Sequence, residues 1–167
     1  MSHITSSRVT KSKSKQQKSH KAPPSSTASP SSSSLISLQT YVSNIFYDIF
    51  IQDQDDIAEI AYKRNWSHHV KENGDGKPFT FNSFHNYIFN NLRTTLTNRQ
   101  LVSQSFVVEP TEADGGRTGT VAHILQLSAV QEGKDVVANG VGVLQIGWDE
   151  ENMRRKVTME SFVLAFD

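Results

Sequence analysis

Apolar positions along residues 38–49 follow a helical period. In "LQTYVSNIFYDIF", Leu38, Tyr41, Val42, Ile45, Phe46 and Ile49 fall on one wide, aromatic stripe, and Ser37 stands where it can cap the first turn. "DQDDIAEIAYKRNW" reads as a second, shorter helix, with Asp53 as N-cap, Asp55 and Asp56 at the positive end of the dipole, and Ile57, Ile60 and Ala61 as the buried edge. "WSHHV" reads as a short extended segment and "KENGDGKP" as a turn. A third helix follows in "TFNSFHNYIFNNLRTTL", capped by Thr80, with Phe81, Phe84, His85, Ile88, Leu92 and Leu96 at helical spacing. After residue 97 the period drops to two and β-branched residues take over, which predicts four strands at roughly 100–109, 118–131, 135–148 and 154–166. Their short connections, "QEGK" and "DEEN" among them, predict an antiparallel meander.

Gly140, Gly142 and Gly147 interrupt the third of these strands, so the sheet should bend strongly. Neither face of that strand is polar: Val136, Ala138, Leu144 and Ile146 lie on one side, Val137, Val141 and Val143 on the other. Helices can cover only one face, and a second copy of the chain is the simplest cover for the other, which predicts a homodimer.

Composition divides the chain in two. The formal net charge of the 167 residues is zero, but residues 1–34 carry six basic groups (Arg8, Lys11, Lys13, Lys15, Lys18 and Lys21) and no acid. The body, residues 35–167, is therefore acidic, with 11 basic groups against 17 acidic ones and a net charge of −6. The Ser/Lys/Pro-rich tail has too few large apolar groups to offset its ordering entropy, and it is expected to be disordered. It lacks the apolar core of a secretory signal, which favours an intracellular protein, cytoplasmic or nuclear. The absence of cysteine excludes disulfides, a thiol nucleophile and thiolate metal sites. No apolar run is long enough to cross a membrane as a helix. Nucleic-acid binding would have to come from the basic tail.

The candidate chemistry is mostly imidazole. His68 and His69 follow Trp66, and in an extended segment only one of the two rings can face inward; strict alternation from Trp66 selects His68. His123, in "TVAHILQL", shares a strand face with Val121 and Leu125 and can be either a satisfied core residue or a group projecting into a cavity. His85 falls on the buried stripe of its helix or at its margin, where packing is the commoner role, at the rim of any cavity. Tyr41 is a better inward phenol than Tyr47, and Asp48 and Glu160 are the carboxylates nearest apolar surroundings. Burial would raise the pKa of Glu160, but an exposed place on an edge strand is the commoner fate of such a residue. No metal-ligand constellation, phosphate loop or serine nucleophile elbow is visible, and no cofactor is implied.

Three stretches resemble the nuclear-transport-factor-2-like superfamily, which includes SnoaL-like polyketide cyclases, scytalone dehydratase and ketosteroid isomerases. They are "NWSHHVKENGDGKPFTFNSF", "GKDVVANGVGVLQI" and "RRKVTMESFVLAF", and the likeness extends over residues 36–167. The resemblance implies an α+β fold in which three N-terminal helices pack on a strongly curved antiparallel sheet to form a cone-shaped α+β barrel around an apolar cavity. It also implies that His69, in an aromatic–x–x–His segment, stands where relatives place a polar pocket residue; its offset of three from Trp66 then requires a bulge at Ser67–His68. The chain departs from the isomerase pattern, since Val141 and Gly142 occupy the stretch where a later-strand acid would stabilise an oxyanion.

Two functional readings follow. One is a pocket for a small apolar molecule, acted on without cofactor as an isomerase, cyclase or dehydratase. In that reading His69 and His123 move protons, Tyr41 orients the ligand, and Trp66, His68, Phe84, His85 and Ile88 line the pocket. The other is a noncatalytic protein-interaction module of the same fold, acting in the nucleus.

Overall fold

The computed structural model describes residues 35–167. The predicted tail, residues 1–34, lies outside the described residues. Helix α1 (Leu38–Phe46) begins as expected: the Ser37 side chain accepts from the Thr40 backbone N–H at 3.0 Å. It then widens into a π-helical turn at Tyr47–Ile51. Helix α2 (Asp55–Asn65) differs from expectation at its start and on its face. Gln54, not Asp53, holds the cap position, and Asp53 is exposed, 3.7 Å from Arg99. Ala58, Ala61 and Tyr62 are the residues buried, whereas Ile57 and Ile60 are exposed. The large Tyr62 ring, stacked 5.3 Å from Trp66, turns the helix by about one residue from the aliphatic edge.

Strands β1 (Trp66–Gly74) and β2 (Lys77–Phe79) form a hairpin around Asp75–Gly76, both at positive φ, in place of the short segment and open turn read from the sequence. Helix α3 (Phe81–Tyr87) starts with a capping box, in which Thr80 and Ser83 satisfy each other's backbone N–H. It continues through a π-helical turn at Ile88–Leu92 and a last α turn at Arg93–Thr95. The long strands β3 (Leu96–Pro110), β4 (Gly119–Gln131), β5 (Lys134–Asp149) and β6 (Arg154–Phe166) make the predicted meander.

The described sheet has six strands rather than four, in the order β2-β1-β6-β5-β4-β3. Its edges, β2 and β3, do not pair, so the sheet is a curved cup and not a closed barrel. All neighbours are antiparallel except β1 and β6. Register breaks at Thr97/Gln100 and Leu101/Ser103 in β3, at Gln145/Ile146 in β5 and between Trp66 and Lys71 in β1 supply the bend. The concave face packs on the helices through Val42, Ile45, Ile49, Tyr62, Phe84 and Ile88 against Val121, Leu144 and Val157.

The seat of α1 on the sheet is tight at Gly119. A Cβ there would lie 2.5 Å from the Glu109 carbonyl oxygen and 2.7 Å from Leu38 Cδ1. Because the nearest obstacle is backbone, Gly119→Ala is expected to destabilise the fold by about 1–3 kcal/mol, the usual cost of overpacking. Chemical denaturation checks this; unchanged stability would mean that α1 is not seated as described.

Candidate functional site

Between the helices and the concave face lies a largely apolar cavity of about 70 Å³ with an open mouth. Its floor is made by directly paired residues on three strands, His123, Gly142 and Phe162, with Phe106 paired to His123 beside them. Gly142 leaves the row open where a side chain would fill it. The nearest atoms to a Cβ there would be 3.6 Å away, which is ordinary contact. The walls are the aromatic rings of Phe46 at the end of α1, of Phe50 in the π-helical turn after it and of Phe84 and Tyr87 on α3.

His123 is fully enclosed, 1% exposed. Its ring stacks on Phe106 at 4.5 Å with an interplanar angle of 5°, and the Phe46 ring meets it edge-on at 4.5 Å. Among the described residues neither Nδ1 nor Nε2 has a hydrogen-bond partner. Burial of the charged form pushes the imidazole pKa down to about 4, so the ring is neutral at pH 7. A neutral imidazole needs one donor and one acceptor to be satisfied, and the cavity is where it can find them.

Glu160 also lines the cavity. It is 3% exposed, its Oε2 is unpartnered, and burial raises its pKa above the ordinary carboxylate range. It lies two strands from His123 and one inward-facing row along. On a flat sheet this separates the two Cα atoms by about 12 Å, given a strand spacing of about 4.8 Å. A small molecule between them would meet a carboxyl at one wall and an imidazole at the other. Two guanidinium groups stand at the mouth, Arg93 and Arg99, and both are already engaged. Arg93 donates to the backbone oxygens of Ile49 and Gln52 and to Asp55, and Arg99 to those of Phe50, Arg93 and Leu96. They stitch the π-helical turn at Tyr47–Ile51 to the end of the third helix and to β3, and among the described residues they leave no free cation at the cavity.

The other sequence candidates fall elsewhere. His68 and His69 are both exposed, which corrects the expectation that one of them enters the pocket. The expected bulge is present: the five-residue step from Trp66 to Lys71 in β1 spans only the two-residue step from Val157 to Met159 in β6. It turns both histidines out instead of turning His69 in. His68 lies over the Phe81 ring at 4.4 Å, and the His69 backbone N–H donates to Ser67 Oγ. Tyr41 is buried but not at the cavity, and its hydroxyl hydrogen-bonds the Arg155 carbonyl and Asn65. Trp66 and Ile88 are core residues behind the wall, and His85 lies 3.2 Å from Glu59 on α2, outside the cavity. Of the predicted pocket residues, Phe84 alone lines the cavity, together with His123. No cluster of three or more metal-ligating groups occurs among the described residues.

Glu72 escaped the sequence reading altogether. It lies in "KENG", which reads as a turn, yet it faces inward on β1 beside Glu160. The alternation Val70, Glu72, Gly74 carried the signal, because all three are buried.

The solvation of His123 gives a testable sign. Its folded pKa lies below the unfolded value of about 6.5, so the fold loses stability as pH falls from about 6.5 toward 4. His123→Phe removes two unsatisfied polar atoms while keeping a ring in the stack. The variant should be at least as stable as wild type at pH 7, with an advantage that grows as pH falls to about 4. Melting curves at several pH values check this, and an advantage that shrinks toward acid pH would contradict it.

No family model matches the chain, and no curated protein is similar to it. Solved structures are. A putative scytalone dehydratase from Novosphingobium aromaticivorans superposes with a TM-score of 0.59 over 77% of this chain and 85% of its own, at 7% identity. A putative Ca/calmodulin-dependent kinase II association domain from Exiguobacterium sibiricum gives 0.54 over 77% and 90%, at 17% identity. An NTF-2-like protein of unknown function from Pseudomonas aeruginosa gives 0.50 over 76% and 97%, at 10% identity. At such identities the likeness is one of architecture, and it agrees with the curved sheet and the three helices: the chain has the nuclear-transport-factor-2-like fold.

Proposed function

We propose that the protein binds a small, largely apolar, uncharged molecule in this cavity and acts on it by cofactor-free proton transfer, as an isomerase, cyclase or dehydratase. The observation that carries the reading is the pair of buried, unpartnered polar groups, His123 and Glu160, in an otherwise apolar space. Glu160 in its acid form protonates or hydrogen-bonds an oxygen at one end of the ligand. The neutral His123 ring accepts a proton at the other end or orients a hydroxyl there. His123 thus keeps the proton-transfer role expected from the sequence, and Glu160 takes the one expected of His69. Similarity to a putative scytalone dehydratase agrees with such chemistry.

A second reading is noncatalytic assembly, and the convex face favours it. Val107, Ile124, Val141, Val143 and Val163 are exposed there on four adjacent strands. An apolar sheet face of this kind suits a second copy of the chain, and the solved structures include a kinase association domain. The two readings are compatible, since one uses the concave side and the other the convex side.

For the cavity, the neutral dye N-phenyl-1-naphthylamine should bind one per chain with enhanced fluorescence. Gly142→Leu, which fills the floor, should abolish binding while leaving the circular dichroism spectrum intact. Equal binding by the variant would remove the cavity reading. For the convex face, sedimentation at micromolar concentration should show a dimer, and the double variant Val107→Glu/Ile124→Glu a folded monomer. A wild-type monomer would dismiss the assembly.

A further inference from the structure

Glu72 on β1 and Glu160 on β6 are direct partners across the parallel pair. Both are buried, 4% and 3% exposed. Among the described residues both carboxyl oxygens of Glu72 and Oε2 of Glu160 lack a hydrogen-bond partner, as does the neighbouring Trp66 Nε1. Neither glutamate belongs to any ion pair among the described residues. An ionised carboxylate only accepts hydrogen bonds, so two of them facing each other in a dry site with no cation would be very costly. Protonation resolves this: with both carboxyls in the acid form, Glu72 donates to Glu160 and the Glu160 hydroxyl is left to donate into the cavity.

The surroundings offer no other remedy. From α2, Tyr62 faces the pair, but its hydroxyl already donates to the Phe81 carbonyl at 2.8 Å. From β5, the residue opposite Glu160 is Leu144. Phe84 and Tyr87 on α3 contribute rings around Phe162, and the Tyr87 hydroxyl carries no positive charge. Across the cavity His123 is neutral, and Arg93 and Arg99 at the mouth are bound to backbone oxygens. The Trp66 indole N–H is close to both carboxyls without making a well-formed hydrogen bond to either.

We propose that Glu72 and Glu160 form a proton-sharing carboxyl pair, in which Glu72 is a positioning residue that presents Glu160 to the cavity as a hydrogen-bond donor. The inference rests on the cavity reading above and refines its ligand: an uncharged molecule that offers an oxygen acceptor, such as a ketone, to Glu160. A carboxylate or phosphate ligand would bring a negative charge to a site that has no free cation among the described residues. Burial raises both pKa values, and the charge of Glu160 raises that of Glu72 further.

Infrared spectroscopy of the full chain against pH tests the pair without any ligand. In wild type a carboxylic-acid carbonyl band should persist above about pH 6, where ordinary glutamates with a pKa of about 4.3 are ionised. The two groups should titrate in separate steps. In Glu72→Gln the upper step should disappear and Glu160 should ionise at least about one pH unit below it, because the like charge that raised it is gone. Glu160→Gln should do the same to Glu72. Single variants that remove one band and leave the other midpoint in place would overturn the sharing, as would a wild type with no acid band above about pH 6. Should Glu72→Gln fail to fold, coincident rather than separated wild-type steps give the same refutation. For the ligand class, 2-acetonaphthone should displace the naphthylamine dye and 2-naphthoate, with the same rings, should not; equal displacement would overturn the neutral donor. Loss of dye binding with separated carboxyl steps would fail the cavity reading alone, and dye binding with independent carboxyls would fail the pair alone.

Discussion

Strand β1 runs parallel to β6, while every other neighbour in the described sheet is antiparallel, and this one pairing decides what the cavity contains. Without β1, β6 would be an edge strand and Glu160 would meet water. With it, β6 is internal and Glu160 is sealed against Glu72. The pairing tolerates a three-residue excess between Trp66 and Lys71, which is shed outward as Ser67, His68 and His69. The same bulge therefore removes two imidazoles from the interior and restores the phase that turns Val70, Glu72 and Gly74 inward. Gly74 is itself required there, since a Cβ would lie 2.2 Å from the Phe162 ring.

The polar groups of the concave side share one electrostatic state. Burial drives His123 toward the neutral base and Glu72 and Glu160 toward the neutral acid. Their effects on stability oppose each other. The imidazole disfavours the fold as pH falls below about 6.5, and the carboxyls disfavour it as pH rises above about 4.3 toward their raised folded values. Around neutrality the site holds an acid at one wall and a base at the other without a net charge, which suits proton transfer to an uncharged ligand better than recognition of an ion. The arginines that could have changed this are held by carbonyl oxygens of the π-helical turn at Tyr47–Ile51, of Gln52 after it and of Arg93, so the helix ends and the neutrality of the cavity depend on the same contacts.

Helices were legible wherever a wide stripe met a good cap: Ser37 and Thr80 cap α1 and α3, and Val42, Ile45, Phe84 and Ile88 are buried as the period requires. The meander was legible from alternation and short turns, and His123 from its apolar neighbours. Helix α2 was misphased because an aromatic ring, Tyr62, outweighed the isoleucines in choosing the buried face. Strand β1 was hidden because its bulge breaks alternation and its far half is polar and Gly-rich. A parallel partner distant in sequence leaves no local trace, so the burial of Glu160 and the existence of Glu72 as a site residue could not be read from the chain. The sheet's failure to close is likewise a property of pairing, not of any one strand.

A crystal structure of the protein purified with its native small molecule would test the account most directly. The account predicts non-protein density in the cavity above Gly142, within hydrogen-bonding distance of a His123 ring nitrogen and of a Glu160 carboxyl oxygen. A cavity closed by Phe46 and Phe162 with both groups bonded to protein, or a ligand held by Arg93 or Arg99 instead, would contradict it.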